Sequence, residues 1–176
     1  MRPALALAAA LALAAPALAA GLEPRFDHRD QHGPAAELIY AYDAVAITGR
    51  ATQSGWRPAL RLAWSLDAFG EGNDLFFGVQ GALRSWSDPE REHVNLALDG
   101  RYRGYFGSEE VKTFFDLGVW VPVVSRLAIG PLAGIGLVYD FSRSGGIYAA
   151  GTFATAFGQA RIASFGVTLG AQLRFE

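Results

Sequence analysis

From Ile162 to Phe175 every second residue is apolar: Ala163, Phe165, Val167, Leu169, Ala171, Leu173 and Phe175. Between them stand Ser164, Gly166, Thr168, Gly170, Gln172 and Arg174, all small or polar. A β-strand sends successive side chains to opposite faces, so this segment has one bulky apolar face and one thin polar face. About ten alternating residues is the length a tilted strand needs to cross a bilayer. The same rhythm predicts eight strands, at 36–47, 57–68, 74–86, 92–106, 111–121, 127–140, 146–157 and 161–175. Between them lie short runs rich in turn-forming residues, such as Gly70-Glu71-Gly72-Asn73 and Ser142-Arg143-Ser144-Gly145-Gly146. Connectors this short predict antiparallel neighbours, because a parallel crossover needs about a dozen residues or more.

The faces can be written out strand by strand. The second segment sets Leu60, Leu62, Trp64 and Leu66 against Arg61, Ala63, Ser65 and Asp67. In the third, Leu75, Phe77, Val79 and Leu83 oppose Gly78, Gln80, Ala82 and Arg84. The fourth sets Val94, Leu96, Leu98 and Tyr102 against Asn95, Ala97, Asp99, Arg101 and Arg103. The fifth sets Phe115, Leu117, Val119 and Val121 against Asp116, Gly118 and Trp120, and the sixth sets Ile129, Ala133, Ile135, Leu137 and Tyr139 against Gly130, Gly134, Gly136 and Asp140. The seventh, 147–157, phases either way. Pro131 falls inside the sixth segment, where a closed barrel has no free edge, so a bulge or a later strand start is expected there.

Alternation does not by itself say which face points in, since a soluble lipocalin-like barrel alternates as well. An eight-stranded barrel holds only a modest filling of side chains. The thin faces, rich in Gly and Ala, suit that interior, and a water-facing surface is rarely so poor in polar groups. The bulky face is therefore expected to lie outside, against lipid. Charges on the thin face must then pair, because a lone buried charge is costly. Both signs are present: Asp43, Asp67, Asp99 and Asp116 against Arg61, Arg84, Arg101, Arg103 and Arg174.

Aromatic residues are expected to form two interfacial belts around an aliphatic band. With odd strands starting at the periplasmic rim, that rim is assigned Tyr40, Tyr42, Phe76, Phe77, Tyr105, Phe114, Tyr139, Tyr148 and Phe175, among others. The opposite rim is assigned Trp56, Trp86, Trp120 and Phe157.

Composition narrows the picture. Met1-Arg2-Pro3, an Ala/Leu run and Ala17-Leu18-Ala19 have the form of a cleavable signal peptide, residues 1–19. Removing it leaves 14 basic and 17 acidic residues, a net charge of −3, which offers no footprint for nucleic acid. Residues 20–35 read as a flexible polar arm and 36–176 as the barrel. The chain has no cysteine, so neither disulfides nor thiolate chemistry can contribute. Hydrophobic residues make up 51% of the sequence, yet beyond the first twenty positions no run is long enough for a spanning helix. Spanning strands reconcile the two.

On this architecture the segment 36–176 resembles the small eight-stranded outer-membrane β-barrels of the OmpA transmembrane domain, OmpX and OmpW kind. Its ending, Leu173-Arg174-Phe175, is similar to the terminal strand that family presents to the barrel-assembly machinery, although Glu176 follows the aromatic here. The resemblance implies an all-β, antiparallel, up-and-down transmembrane barrel in the outer membrane of a Gram-negative bacterium. It also implies both ends in the periplasm, lipid and lipopolysaccharide as surroundings, and a monomer.

Chemistry-bearing motifs are sparse. The connector Ser85-Trp86-Ser87-Asp88-Pro89-Glu90-Arg91-Glu92-His93 gathers Ser, His and carboxylates, the kit for acyl transfer, and some relatives of this kind modify lipid A. A solvated polar hairpin accounts for the same residues, and the His-x-Ser motif of the lipid A deacylases is absent, since His93 is followed by Val94-Asn95. His28 and His32 with Asp27 and Asp30 lack a third fixed ligand, so no metal site is assigned, and no cofactor is called for. The expected role is structural or adhesive at the envelope, with a lumen plugged by its charges rather than a catalytic site. The alternatives are a lipid A-modifying enzyme, a narrow solute channel, and a soluble periplasmic binding barrel.

Overall fold

The computed structural model describes residues 32–49, 51–68, 73–82, 95–107, 110–123, 127–142, 144–159 and 161–175. Eight strands follow in order: β1 Gly33–Ile47, β2 Gln53–Ala68, β3 Asn73–Ala82, β4 Asn95–Phe106, β5 Val111–Pro122, β6 Ala128–Ser142, β7 Gly145–Gly158 and β8 Ile162–Arg174. Each is antiparallel to its sequence neighbour, and β1 pairs with β8, from Ala35↔Arg174 to Ile47↔Ile162. The result is a closed up-and-down barrel with no free sheet edge. We call the end where β1 starts and β8 finishes the N-terminal rim, and the other end the far rim.

The first strand starts earlier than the sequence pattern suggested. Gly33 pairs with Ser65 and Ala35 with both Ala63 and Arg174, so 33–35 belong to the barrel wall and not to the arm. The proline behaves differently from expectation too. Ile129 pairs with Phe157 and Leu132 with Ala154, so the β6–β7 register is unchanged across Pro131, and on its other side Pro131 pairs with Val119. A prolyl nitrogen has no hydrogen to donate. The β6–β7 ladder skips Gly130 and Pro131 without inserting a residue, which accommodates it without a bulge. The irregularity in this pair lies instead at Asp140/Ser142.

The polarity of the wall is inverted relative to a soluble protein. Leu38, Leu62, Ile135 and Phe165 are 58–65% exposed on the outside. Arg61, Glu37, Arg103 and Asp116 are 0–2% exposed within. β7, whose faces the sequence left open, sends Ile147, Phe153 and Phe157 outward and Tyr148, Ala150, Ala154 and Ala156 inward.

Outward aromatics gather toward both rims, with corrections to the expected heights. Tyr42 pairs with Trp56, and Tyr40 stacks on the same indole with ring centroids 4.9 Å apart. Both tyrosines thus join the far-rim group, because β1 begins three residues early and carries them higher. Phe77, Phe106, Tyr139, Phe141 and Phe175 are outward in the half nearer the N-terminal rim. Phe76, Phe114, Trp120 and Tyr148 belong to neither belt, since all four are buried inside the barrel. Each sits on the inward parity of its strand, and height alone does not determine face. Trp86, Arg84 and the Ser85–His93 connector lie outside the described residues, as do the proposed signal peptide and most of the arm.

Candidate functional site

Among the described strand residues, six acids and six bases are buried in the interior: Glu37, Asp43, Asp74, Asp99, Asp116 and Asp140 with Arg57, Arg61, Arg101, Arg103, Lys112 and Arg174. Strand register brings many of them face to face. Arg61 lies opposite Glu37 across β1–β2, and Arg103 opposite Asp116 across β4–β5.

The central layer draws its side chains from β1, β2, β4, β5, β7 and β8. Arg61 donates from Nε and Nη2 to the two oxygens of Asp99, at 2.9 and 2.6 Å, and from Nη1 to Glu37 at 2.8 Å. Arg101 donates from Nε to Asp99 at 2.9 Å and from Nη1 to Asp116 at 3.3 Å. Arg103 makes a two-pronged bond to Asp116 at 2.7 and 2.8 Å and reaches Gln172 at 3.3 Å. The Tyr148 hydroxyl donates to Glu37 at 3.0 Å and closes the layer across the lumen. Two-pronged guanidinium–carboxylate bonds are the strong and directional kind. Aromatic rings fill what remains: Arg103 Cζ stands 4.1 Å from the Phe114 ring centre and 5.3 Å from that of Phe76. Ring faces are negative and accept a cation there.

Glycines make room for these interior side chains, in the central layer and nearer the N-terminal rim. A Cβ on Gly78 would stand 2.7 Å from Arg61 Nε, and one on Gly146 would stand 2.6 Å from Asp140 Oδ1. The thin face therefore holds large side chains because the residues they lie across have none of their own.

Nearer the N-terminal rim, Asp74 collects Arg174 at 2.7 Å, Ser65 at 2.6 Å and Tyr105 at 2.8 Å. His32 Nδ1 stands 3.5 Å from the same carboxylate, and Lys112 donates to Asp140 at 3.1 Å. Toward the far rim, Arg57 binds Asp43 directly.

Of the charges expected inside, Asp43, Arg61, Asp99, Arg101, Arg103, Asp116 and Arg174 occupy this interior. Asp67 does not. It has the inward parity, but it is the penultimate residue of β2, its side chain is 44% exposed, and His32 stands 4.0 Å away. Glu37, Arg57, Asp74 and Lys112 are the residues that sequence reasoning missed, and Asp140, which it placed on the thin face, was not counted among the interior charges; all five share the inward parity of their strands.

Ser65 and His32 both approach the same oxygen of Asp74, Ser65 as a hydrogen-bond donor. Among the described residues no group of three or more His, Cys, Asp or Glu is disposed to hold a metal ion. The buried guanidinium groups and carboxylates of the central layer thus pair with one another across the strands.

No family model matches the sequence, and no curated protein matches it either. Among solved structures the chain is similar to Neisserial surface protein A, with a TM-score of 0.59 and 11% identity over 81% of this chain and 97% of that one. It is also similar to Ail, the attachment invasion locus protein of Yersinia pestis, with a TM-score of 0.49 and 16% identity over 81% and 99% of the two chains. The N-terminal β-barrel domain of Pseudomonas aeruginosa OprF gives 0.41 and 12% over 80% and 99%. The correspondence with the first of these is one of fold: the chain has the architecture of the small eight-stranded outer-membrane barrels.

Proposed function

We propose that this chain is an integral protein of a bacterial outer membrane, a monomeric barrel with a structural or surface-contact role and an interior locked by its own ion pairs. The observation that carries the reading is the inverted polarity of the wall. Leu38, Leu60, Leu62, Leu98, Leu117 and Ile135 form an outward aliphatic band, while arginines and carboxylates are buried at the same heights. In water that band would be an apolar patch far larger than a soluble monomer carries. In a bilayer it is the expected surface, flanked by aromatic groups at the interfaces. A lipocalin-like barrel needs the reverse arrangement. The N-terminal rim would face the periplasm, lipid and lipopolysaccharide would surround the wall, and β8 with Phe175 would engage the assembly machinery.

The test is heat-modifiability in isolated outer membranes. A closed membrane barrel changes its mobility on SDS gels when boiled and leaves the membrane only with detergent. An unchanged mobility together with release by osmotic shock would overturn the proposal. With the interior locked, planar bilayers containing the purified protein show no conductance steps.

A further inference from the structure

The interior hydroxyls divide into two groups. In the central layer and toward the N-terminal rim they have partners in the protein. Tyr148 donates to Glu37 at 3.0 Å, and Ser65 and Tyr105 donate to Asp74 at 2.6 and 2.8 Å. In the far half of the barrel a chamber of about 90 Å³ is lined in part by Gln80 of β3, Arg101 of β4, Thr152 of β7, and Ser164 and Thr168 of β8. Among the described residues, none provides a hydrogen-bond partner for the side chain of Gln80, Thr152, Ser164 or Thr168. Arg101 uses Nε on Asp99 and Nη1 on Asp116, and its Nη2 has no acceptor among the described residues.

A hydroxyl, amide or guanidinium taken out of bulk water without a replacement bond is costly. Five such groups converge here on one space, so a dry chamber would strand them all. Apolar cavities stay dry, whereas polar ones hold water, each molecule typically bonding about three groups. A buried water needs roughly 10–15 Å³ of such space, so several fit. The position of the five groups matters as well. In the closed strand order β3 and β4 lie across the lumen from β7 and β8. Nearer the N-terminal rim that span is bridged directly, by Arg103 to Gln172 and by Arg174 to Asp74. At the chamber the groups on the two sides are shorter or already committed, and a bridging water serves nearly as well as a direct bond.

We propose that the chamber is a hydration site, in which a cluster of structural waters binds Gln80, Arg101, Thr152, Ser164 and Thr168 and ties β3 and β4 to β7 and β8. The water cluster continues the ion-pair layer toward the far rim, and it does so whatever medium surrounds the wall.

Replacing Thr by Val keeps the shape and removes the hydroxyl. The test is urea titration of the folded protein, its folded fraction read from the heat-induced gel shift, together with high-resolution diffraction from the unaltered protein. Thr152→Val and Thr168→Val should each shift the equilibrium about fivefold toward the unfolded state, the size of one ordinary hydrogen bond. If these hydroxyls stand without any partner, the same replacements relieve a desolvation cost and shift the equilibrium the other way. A shift in that direction, or none, would overturn the proposal. Diffraction should show ordered waters about 2.7–3.2 Å from Arg101 Nη2 and from the Thr168 hydroxyl. A chamber without density, or one filled by an organic molecule, would overturn it too.

Discussion

Arg61 is the side chain on which the interior account can be tested most sharply. It is fully buried and makes three hydrogen bonds, two to Asp99 and one to Glu37. Arg61→Met keeps much of the volume and removes the charge. Asp99 then retains Arg101 at 2.9 Å, and Glu37 retains only the Tyr148 hydroxyl at 3.0 Å. Breaking a buried ion pair by removing one partner costs about 3–5 kcal/mol, because the other partner stays buried and uncompensated. Here each acid keeps one donor, so the lower end, about 3 kcal/mol, is expected, or roughly a hundredfold in the folding equilibrium. The assay is urea titration of the protein in lipid vesicles, with the folded fraction read from the gel shift. Adding Glu37→Gln restores the charge balance, and the Gln amide oxygen can still accept from Tyr148. The double variant should recover about 1 kcal/mol or more, within the usual range for coupled neighbours. A loss below about 1 kcal/mol for Arg61→Met, or no recovery in the double variant, would show that the ionic layer does not hold the barrel.

Gly78→Ala should destabilise by about 1–3 kcal/mol, since its methyl would stand 2.7 Å from a guanidinium that Asp99 and Glu37 pin in place. In the Arg61→Met background the same substitution should cost much less, and an equal cost measured by the same titration would refute the link. Leu60→Arg, at mid-height on the outer face, should cost about 2–4 kcal/mol in a bilayer, against about 0–1 for Leu127→Arg at the far rim. Equal, negligible costs for both would mean that the outer face meets water.

Much of the fold was legible from periodicity alone. β2, β3, β4, β5, β6 and β8 alternate strongly enough that both partners and faces follow from the residues. β7 did not yield its faces, because Ala, Gly and Thr occupy both, and only pairing to β6 and β8 fixes Tyr148 inward. Parity located Arg61, Asp99, Arg101, Arg103 and Asp116 but carries no information about depth along the strand, which is why Asp67 was misjudged. The same parity applied to the strand ends would have found Glu37, Arg57, Asp74 and Lys112. Heights of aromatics failed where a strand boundary failed, as at Tyr40 and Tyr42. The glycines were read as signs of a narrow lumen; in three dimensions they are clearances for side chains reaching across from neighbouring strands.

The central claim is that the bulky face of this wall lies in lipid, and tryptophan quenching tests it most directly. Trp64 is 54% exposed on the outside of β2, and Trp120 is 6% exposed inside β5. Variants that keep one of these two indoles and replace the other three tryptophans with phenylalanine are reconstituted in vesicles of brominated-chain lipid. The account predicts strong quenching of Trp64 and weak quenching of Trp120. Strong quenching of Trp120, with Trp64 responding instead to a water-soluble quencher, would contradict it.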